Sequence, residues 1–449
     1  MAQADGGRGN IGGNPSGVTL PPLLPPTPLL RHCFDAAIAA VDAERALARH
    51  LAAAPAPEGP VAIISVGKAA PGMATALVEW LATHGQAPVG GMVIAADDGR
   101  PVHPSLRSAV GDHPMPGARS FAAADALAEC IRALPRTATV HVAISGGASA
   151  LMASPLPGLM HEDVTSTFAA LSAAGLDIDA MNAVRKRITR WSAGRLALAL
   201  APRPIRLWLI SDVPGDDPGT IGSGPCTGDR WRPPDIAALI ERSGLEARLS
   251  APVLTALATV TPRPEDRRLI DIIPVIVANS HLAQLAAQQA AQALGVSARL
   301  MTEPLTGEAR EMGEAIAAML LEAAAAGERG VWIWGGETTV ATGGVHGVGG
   351  RAQELALAAA NVLAGARQSI TLLAAGTDGR DGPTDAAGAI VAATTRRAIA
   401  ANGGDPADAL AKHDAYSALD LAGALLRTGP SGTNVMDLVI AAIGDDHRE

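Results

Sequence analysis

The chain predicts an α/β protein of two domains, each a mostly parallel sheet flanked by helices, with its active site in the cleft between them. Three observations carry that prediction. Short, continuous apolar runs alternate with longer segments of helical periodicity, the pattern of parallel strands covered on both faces. Several of those runs end in loops rich in glycine, serine or aspartate that lead directly into a helix, and ligands of α/β sheets bind at such strand ends. The 449 residues exceed what a single hydrophobic core usually serves.

Composition narrows the class. Hydrophobic residues make up 48% of the chain but aromatic residues only 2%, so the core has to be built from Ala, Leu, Val and Ile. The net charge is −9, and no basic run exceeds Arg185-Lys186-Arg187, which argues against a nucleic-acid surface. Cys33, Cys130 and Cys226 lie far apart with no metal-ligand spacing, as expected in a reducing cytosol. No apolar stretch reaches a membrane span, and no basic segment followed by an apolar one marks a secretory signal. A cytoplasmic protein is expected.

Taken in order, residues 1–29 are rich in Gly, Asn and Pro and read as a disordered arm. Residues 30–265 read as a Rossmann-like α/β domain and 266–449 as a second α/β domain. A helix is expected over 30–53. The run VAIISVG at 61–67 reads as a buried strand that meets Lys68 and then a helix with Pro71 in its first turn. Only three of the 35 basic residues are lysine, and Lys68 alone sits at such a strand end, where a compact point charge suits a phosphate. A strand over 91–96 and the rigid turn GDHPMP at 111–116 follow; His113 can either contact a ligand or hold its own turn. The strand at 140–144 enters Ser145, Gly146, Gly147, Ala148 and Ser149, where small hydroxyls and bare amides form a second anion cradle.

Helices are expected over 161–175 and 178–200, the second carrying Arg185, Lys186, Arg187 and Arg190, one of which could reach an anionic substrate. The strand at 206–211 ends in Asp212, placed for general-base or metal chemistry. Asp216 and Asp217 fit turn chemistry instead. Beyond 265, strands are expected at 270–278, 299–302 and 331–334, with helices at 281–294 and 306–326 between them. Residues 331–360 are the most organised stretch: a strand, seven glycines, and a helix opening at Arg351, whose free amides point at an anion. Glu337 and Glu354 lie in the same stretch. A strand at 369–375 then enters GTDGRDGPTD, with three aspartates in ten residues, and a hydroxyl-rich turn at 428–437 precedes a last strand at 438–443. Neither a Walker A pattern nor a dinucleotide GxGxxG fingerprint occurs.

Together, SVGKAAPGMA, SGGASALM, SDVPGDDPGTIGSGP, GGETTV, GGRAQELALA, GTDGRDGPTDAAGA and SGTNVMDL, in this order, resemble the glycerate 2-kinase family, whose members carry a C-terminal MOFRL domain. The resemblance covers residues 30–445. It implies ATP-dependent phosphorylation of D-glycerate at the 2-hydroxyl with Mg²⁺ or another divalent metal, and it assigns the family's important lysine and arginine to Lys68 and Arg351. Some members bear the label hydroxypyruvate reductase, often in tartrate-degradation operons, so an NAD(P)H-dependent reductase is the alternative. Three departures occur: Ala148 for a third glycine, Ala352 for an asparagine, and Gly117 for an acidic residue.

On that basis Ser145, Gly146, Gly147, Ser149 and Arg187 are expected to hold the substrate. Gly335, Gly336, Glu337, Thr338, Gly376, Thr377 and Asn434 are expected around the nucleotide. Asp212, Asp378 and Asp385 are the metal candidates, and Asp212 or Asp378 the base. The expected partners are the small molecules D-glycerate and ATP; nucleic acid and membrane are not, and a homodimer stays open. Lys68 and Arg351 are expected to converge on one phosphoryl group, and their substitution to cost activity far more than stability.

Overall fold

The computed structural model describes residues 26–444 except 97, 98 and 346. Most of the expected N-terminal arm therefore lies outside the described residues, while 26–29 open the helix Pro26–Ala40 instead of ending a disordered segment. The expected single helix over 30–53 is two helices, Pro26–Ala40 and Ala43–Leu51, because the Asp42 side chain accepts the Arg45 amide and caps the second one.

The first sheet holds β1 (Val61–Val66), β2 (Gly91–Ala95), β3 (Arg107–Val110), β4 (Thr139–Ile144), β5 (Ile205–Ile210) and β6 (Pro274–Ala278) in the order β3-β2-β1-β4-β5-β6. All its pairings are parallel. β1 is buried along its whole length, which is why it reads as an unbroken apolar run. Because β6 pairs with β5, the first sheet extends to residue 278, past the boundary expected at 265.

The second sheet holds β7 (Ala298–Leu300), β8 (Gly330–Gly336), β9 (Ile370–Gly376), β10 (Gly388–Ala392), β11 (Leu425–Leu426) and β12 (Asp437–Ile443) in the order β11-β10-β9-β12-β8-β7. Here the expectation of a mostly parallel sheet fails: only β7 and β8 pair in parallel, so the sheet is mixed. The physical reason lies in the connections. A parallel pair needs a long crossover, whereas an antiparallel pair can be joined by a loop, and residues 377–387 return the chain directly from β9 to β10.

The two sheets share a core. Helix Pro26–Ala40 packs on helix Ser280–Ala293 and on β9 and β12, while Ala43–Leu51 packs on helix Ala70–Thr83 of the first domain. One continuous apolar cluster therefore contains Leu30, Phe34, Leu47, Ile63 and Leu77 together with Ile333, Leu373 and Ile440. The Thr433 hydroxyl donates to the Val41 carbonyl at 2.7 Å at this crossing. The expected helix over 178–200 is also divided, into Ile178–Ile188 and Arg195–Leu200, with Gly194 at φ 77 opening the second. No helix among the described residues is long and apolar enough to cross a membrane.

Candidate active site

The loops after β1 and β4 are built as one unit. The Lys68 amide donates to the Gly146 carbonyl at 2.9 Å, and the Ser145 hydroxyl accepts the Ala69 amide at 3.0 Å. A side chain on Gly67 would collide with Ser145, and one on Gly146 would collide with the Asp212 carboxylate, so both positions need glycine for close approach. Ser145 is fully buried and locks the Lys68 turn. Ser149 pairs with Ser223 at 2.7 Å, and Ser223 donates to Asn182. The cradle expected from two serines is thus tied up internally on its hydroxyl side; Gly146 is buried and Gly147 half-buried. The His113 ring borders Gly147.

Two side-chain bonds carry this unit across to the second domain. Lys68 Nζ donates to Asp378 Oδ2 at 2.7 Å, and Asn434 Nδ2 donates to Asp212 Oδ2 at 3.2 Å. Burial pushes the Asp212 carboxyl up to about 6, with Lys68 and Arg351 pulling it back and Asp378 pushing further.

Arg351 opens helix Arg351–Leu363, as expected. Its Nε donates to Asp437 Oδ2 at 2.5 Å, its Nη2 to Asp437 Oδ1 at 3.1 Å, and its Nη1 to Glu337. Burial works against its charge, but Asp437 and Glu337 more than offset that and hold it protonated. Burial raises Glu337 to about 7, against the pull of Arg351. Gly376, the last residue of β9, stands between Asp378 and Asp437 and so links the Lys68 pair to the Arg351 pair. The charges of Lys68 and Arg351 both favour the ionised forms of Asp212 and Glu337. Because Asp437 is only 4% exposed, Arg351 is tied into the fold, contrary to the expectation that its loss would leave stability unchanged.

The expected anion site at the start of this helix is already filled. The amides of Ala352 and Gln353 donate to Asp381 at 3.2 and 2.7 Å. A carboxylate from the β9–β10 loop occupies the place predicted for a phosphate. Sequence reading passed over Asp381 and Asp437. Their signal was an acid inside a glycine loop and an acid immediately before an apolar strand.

Other expected site residues have packing roles. Arg187 is fully buried and bonds to Asp229 at 2.7 Å and to the Trp231 carbonyl, so its guanidinium serves the fold and not a substrate. Asp385, a metal candidate in the sequence, bonds to Tyr416 and Arg427 on an exposed surface. The Thr377 hydroxyl donates to the Met436 carbonyl at 2.6 Å and accepts the Val435 amide at 2.9 Å. Gly335 admits Ser280 and Gln284, and Gly336, at φ 145, admits the Leu305 backbone. Thr338 is buried.

Among the described residues no group of three or more His, Cys, Asp or Glu side chains is arranged to hold a metal ion. Asp212 and Asp378, in the loops that follow β5 and β9, offer carboxylate oxygens, the donor chemistry that a hard cation takes.

Two family profiles match the chain: a domain of unknown function (DUF4147) over residues 29–258, and the MOFRL family over residues 330–437. The D-glycerate 2-kinase of Thermotoga maritima is 37% identical over 335 residues, 74% of this chain and 78% of that one. A protein of Agrobacterium vitis provisionally named a hydroxypyruvate reductase is 35% identical over 421 residues, 93% of this chain and 94% of that one. The crystal structure of a glycerate kinase from Thermotoga maritima superposes with a TM-score of 0.79 at 34% identity, covering 93% of this chain and 100% of that one.

Proposed function

The chain belongs to the glycerate kinase family that carries a MOFRL domain, and from that premise we propose that it transfers the γ-phosphoryl group of ATP to the 2-hydroxyl of D-glycerate, giving 2-phosphoglycerate and ADP. The observation that supports this reading is the run of contacts in which Lys68 pairs with Asp378, Arg351 pairs with Asp437, both acids border Gly376, and Asp212 borders Gly146 beside the Lys68 turn. Phosphoryl transfer needs positioning and charge neutralisation more than covalent help, and two cations around one base supply both.

In this reading Asp212 takes the proton of the 2-hydroxyl as the new O–P bond forms and the bond to the β-phosphate oxygen breaks. Lys68 and Arg351 stabilise the charge on the transferred group. The backbone of Gly146 and Gly147 receives the glycerate carboxylate, and the nucleotide lies along Glu337 and Asn434 of the second domain. Asp378 would offer oxygen to a divalent cation, which would neutralise the nucleotide phosphates when bound.

The test sets purified protein with D-glycerate, ATP and Mg²⁺ beside hydroxypyruvate with NADH. ADP formation without NADH oxidation is expected; NADH consumption without ADP would install the reductase. Coupling to enolase without phosphoglycerate mutase checks the regiochemistry. A signal that appears only once mutase is added would mean that the 3-hydroxyl is the acceptor.

A further inference from the structure

Asp381 has no part in the chemistry proposed above, yet its setting is tightly constrained. Its carboxylate accepts the Ala352 and Gln353 amides, the two that follow Arg351. Its own amide donates to the Ala386 carbonyl at 2.8 Å, and its carbonyl accepts Thr384 Oγ1 at 2.8 Å and Gln353 Nε2 at 3.3 Å. The residue is 4% exposed, and a side chain on Gly350 would collide with its carboxylate. The chain therefore keeps glycine just before Arg351 so that an acid from the β9–β10 loop can reach the helix start.

The helix has no cap of its own. Gly350 precedes Arg351 and offers no side-chain acceptor. Unbonded amides at a buried helix start are costly, and a carboxylate there gains both hydrogen bonds and the favourable end of the helix dipole. The Ala352 amide belongs to the peptide unit that begins at Arg351, whose side chain bonds to Asp437 and Glu337.

We propose that Asp381 is the positioning residue of Arg351: it pins the helix start from across the domain so that the guanidinium meets the transferred phosphoryl group. This rests on the reading that Arg351 acts on that group. A misplacement of about 1 Å in such a group can cost on the order of 10²-fold in rate.

The test is steady-state ATP-dependent phosphorylation of D-glycerate by the full chain as Asp381→Asn, Arg351→Ala and the double variant. Asp381→Asn is expected to lower kcat about 10-fold or more, with KM for both substrates within about twofold of wild type. In the Arg351→Ala background Asp381→Asn is expected to change kcat by less than about twofold, since the two act as a unit. An equal fold loss in both backgrounds would mean a merely structural cap and overturn the proposal, as would wild-type kcat in Asp381→Asn. If Asp381→Asn does not fold, Asp381→Gly assayed with added formate carries the same question. Formate should raise its kcat and leave Arg351→Ala/Asp381→Gly unchanged; equal rescue of both, or of neither, overturns the proposal. Wild-type kcat in Arg351→Ala would sink the role of Arg351 itself, a failure distinct from that of Asp381.

Discussion

Asp212 shows how a single residue links burial to chemistry. Its ordinary carboxyl value is 3.8, and burial in the folded chain raises it to about 6. A base works only when ionised, so kcat/KM should be flat above about 6 and fall about tenfold per pH unit below it. Asp212→Asn should lower kcat by about 10² to 10⁴ and abolish that acid limb, which pH–rate profiles of the two proteins would reveal. An unchanged limb in the variant would assign it to another group. For Lys68 and Arg351, alanine substitution of either should lower kcat by on the order of 10²-fold or more, and the double variant should lose less than the product of the two. Arg351→Ala should also lower stability by about 1–3 kcal/mol in urea unfolding, because the buried Asp437 carboxylate loses its charged donor.

Helix Ile178–Ile188 presents a basic triplet that sequence cannot resolve into solvent-facing and buried members. The fold resolves it through Asp229, which is 0% exposed and takes Arg187 at 2.7 Å, Lys186 at 3.4 Å and the Thr261 hydroxyl at 2.9 Å. Arg187→Ala should therefore destabilise by about 3–5 kcal/mol, the cost of breaking a buried pair, while KM for both substrates stays unchanged in the folded fraction. A large KM change with intact stability would return Arg187 to the substrate site. In the β9–β10 loop the contrast runs the other way. Asp385 is exposed and bonds to Tyr416 and Arg427, so Asp385→Ala should leave kcat within about twofold. A metal-dependent loss would contradict that.

At the scale of the whole molecule, the helix pair at the N-terminal end of the described chain packs into one apolar cluster with residues of both sheets. Phe34 is 1% exposed within the cluster that both sheets contribute to. Phe34→Ala should cost about 3–5 kcal/mol and lower the stability of both sheets together. Calorimetry should show a single transition in the wild type and in the variant; two resolved endotherms, with only one shifted, would mean that the shared core does not couple the domains. The same arrangement holds the Lys68–Asp378 and Asp212–Asn434 bonds across the cleft.

Local patterning by itself determined the character of five of the six parallel strands, the strand-end loops, and the presence of Lys68, Asp212 and Arg351 at the mouths of those loops; the edge strand β3, half exposed, left no apolar run to read. Patterning did so because burial on both faces leaves an unbroken apolar run and a ligand-facing turn must be small. Strand direction in the second sheet was not legible, since β9 has the same apolar text whether its neighbours run parallel or antiparallel, and the short β10 and β11 were not expected from the sequence at all. Which polar groups are free was equally hidden. Ser145, Thr377 and Arg187 look like ligand-binding residues in one dimension, yet each is claimed by a partner distant in sequence or by the loop opposite: Ala69, Met436 and Asp229. The filled helix start at Arg351 is the sharpest case. An acid 28 to 29 positions further along reaches it, and only the return of β10 beside β9 brings that acid there, because hydrogen-bond satisfaction is decided by proximity in space and not along the chain.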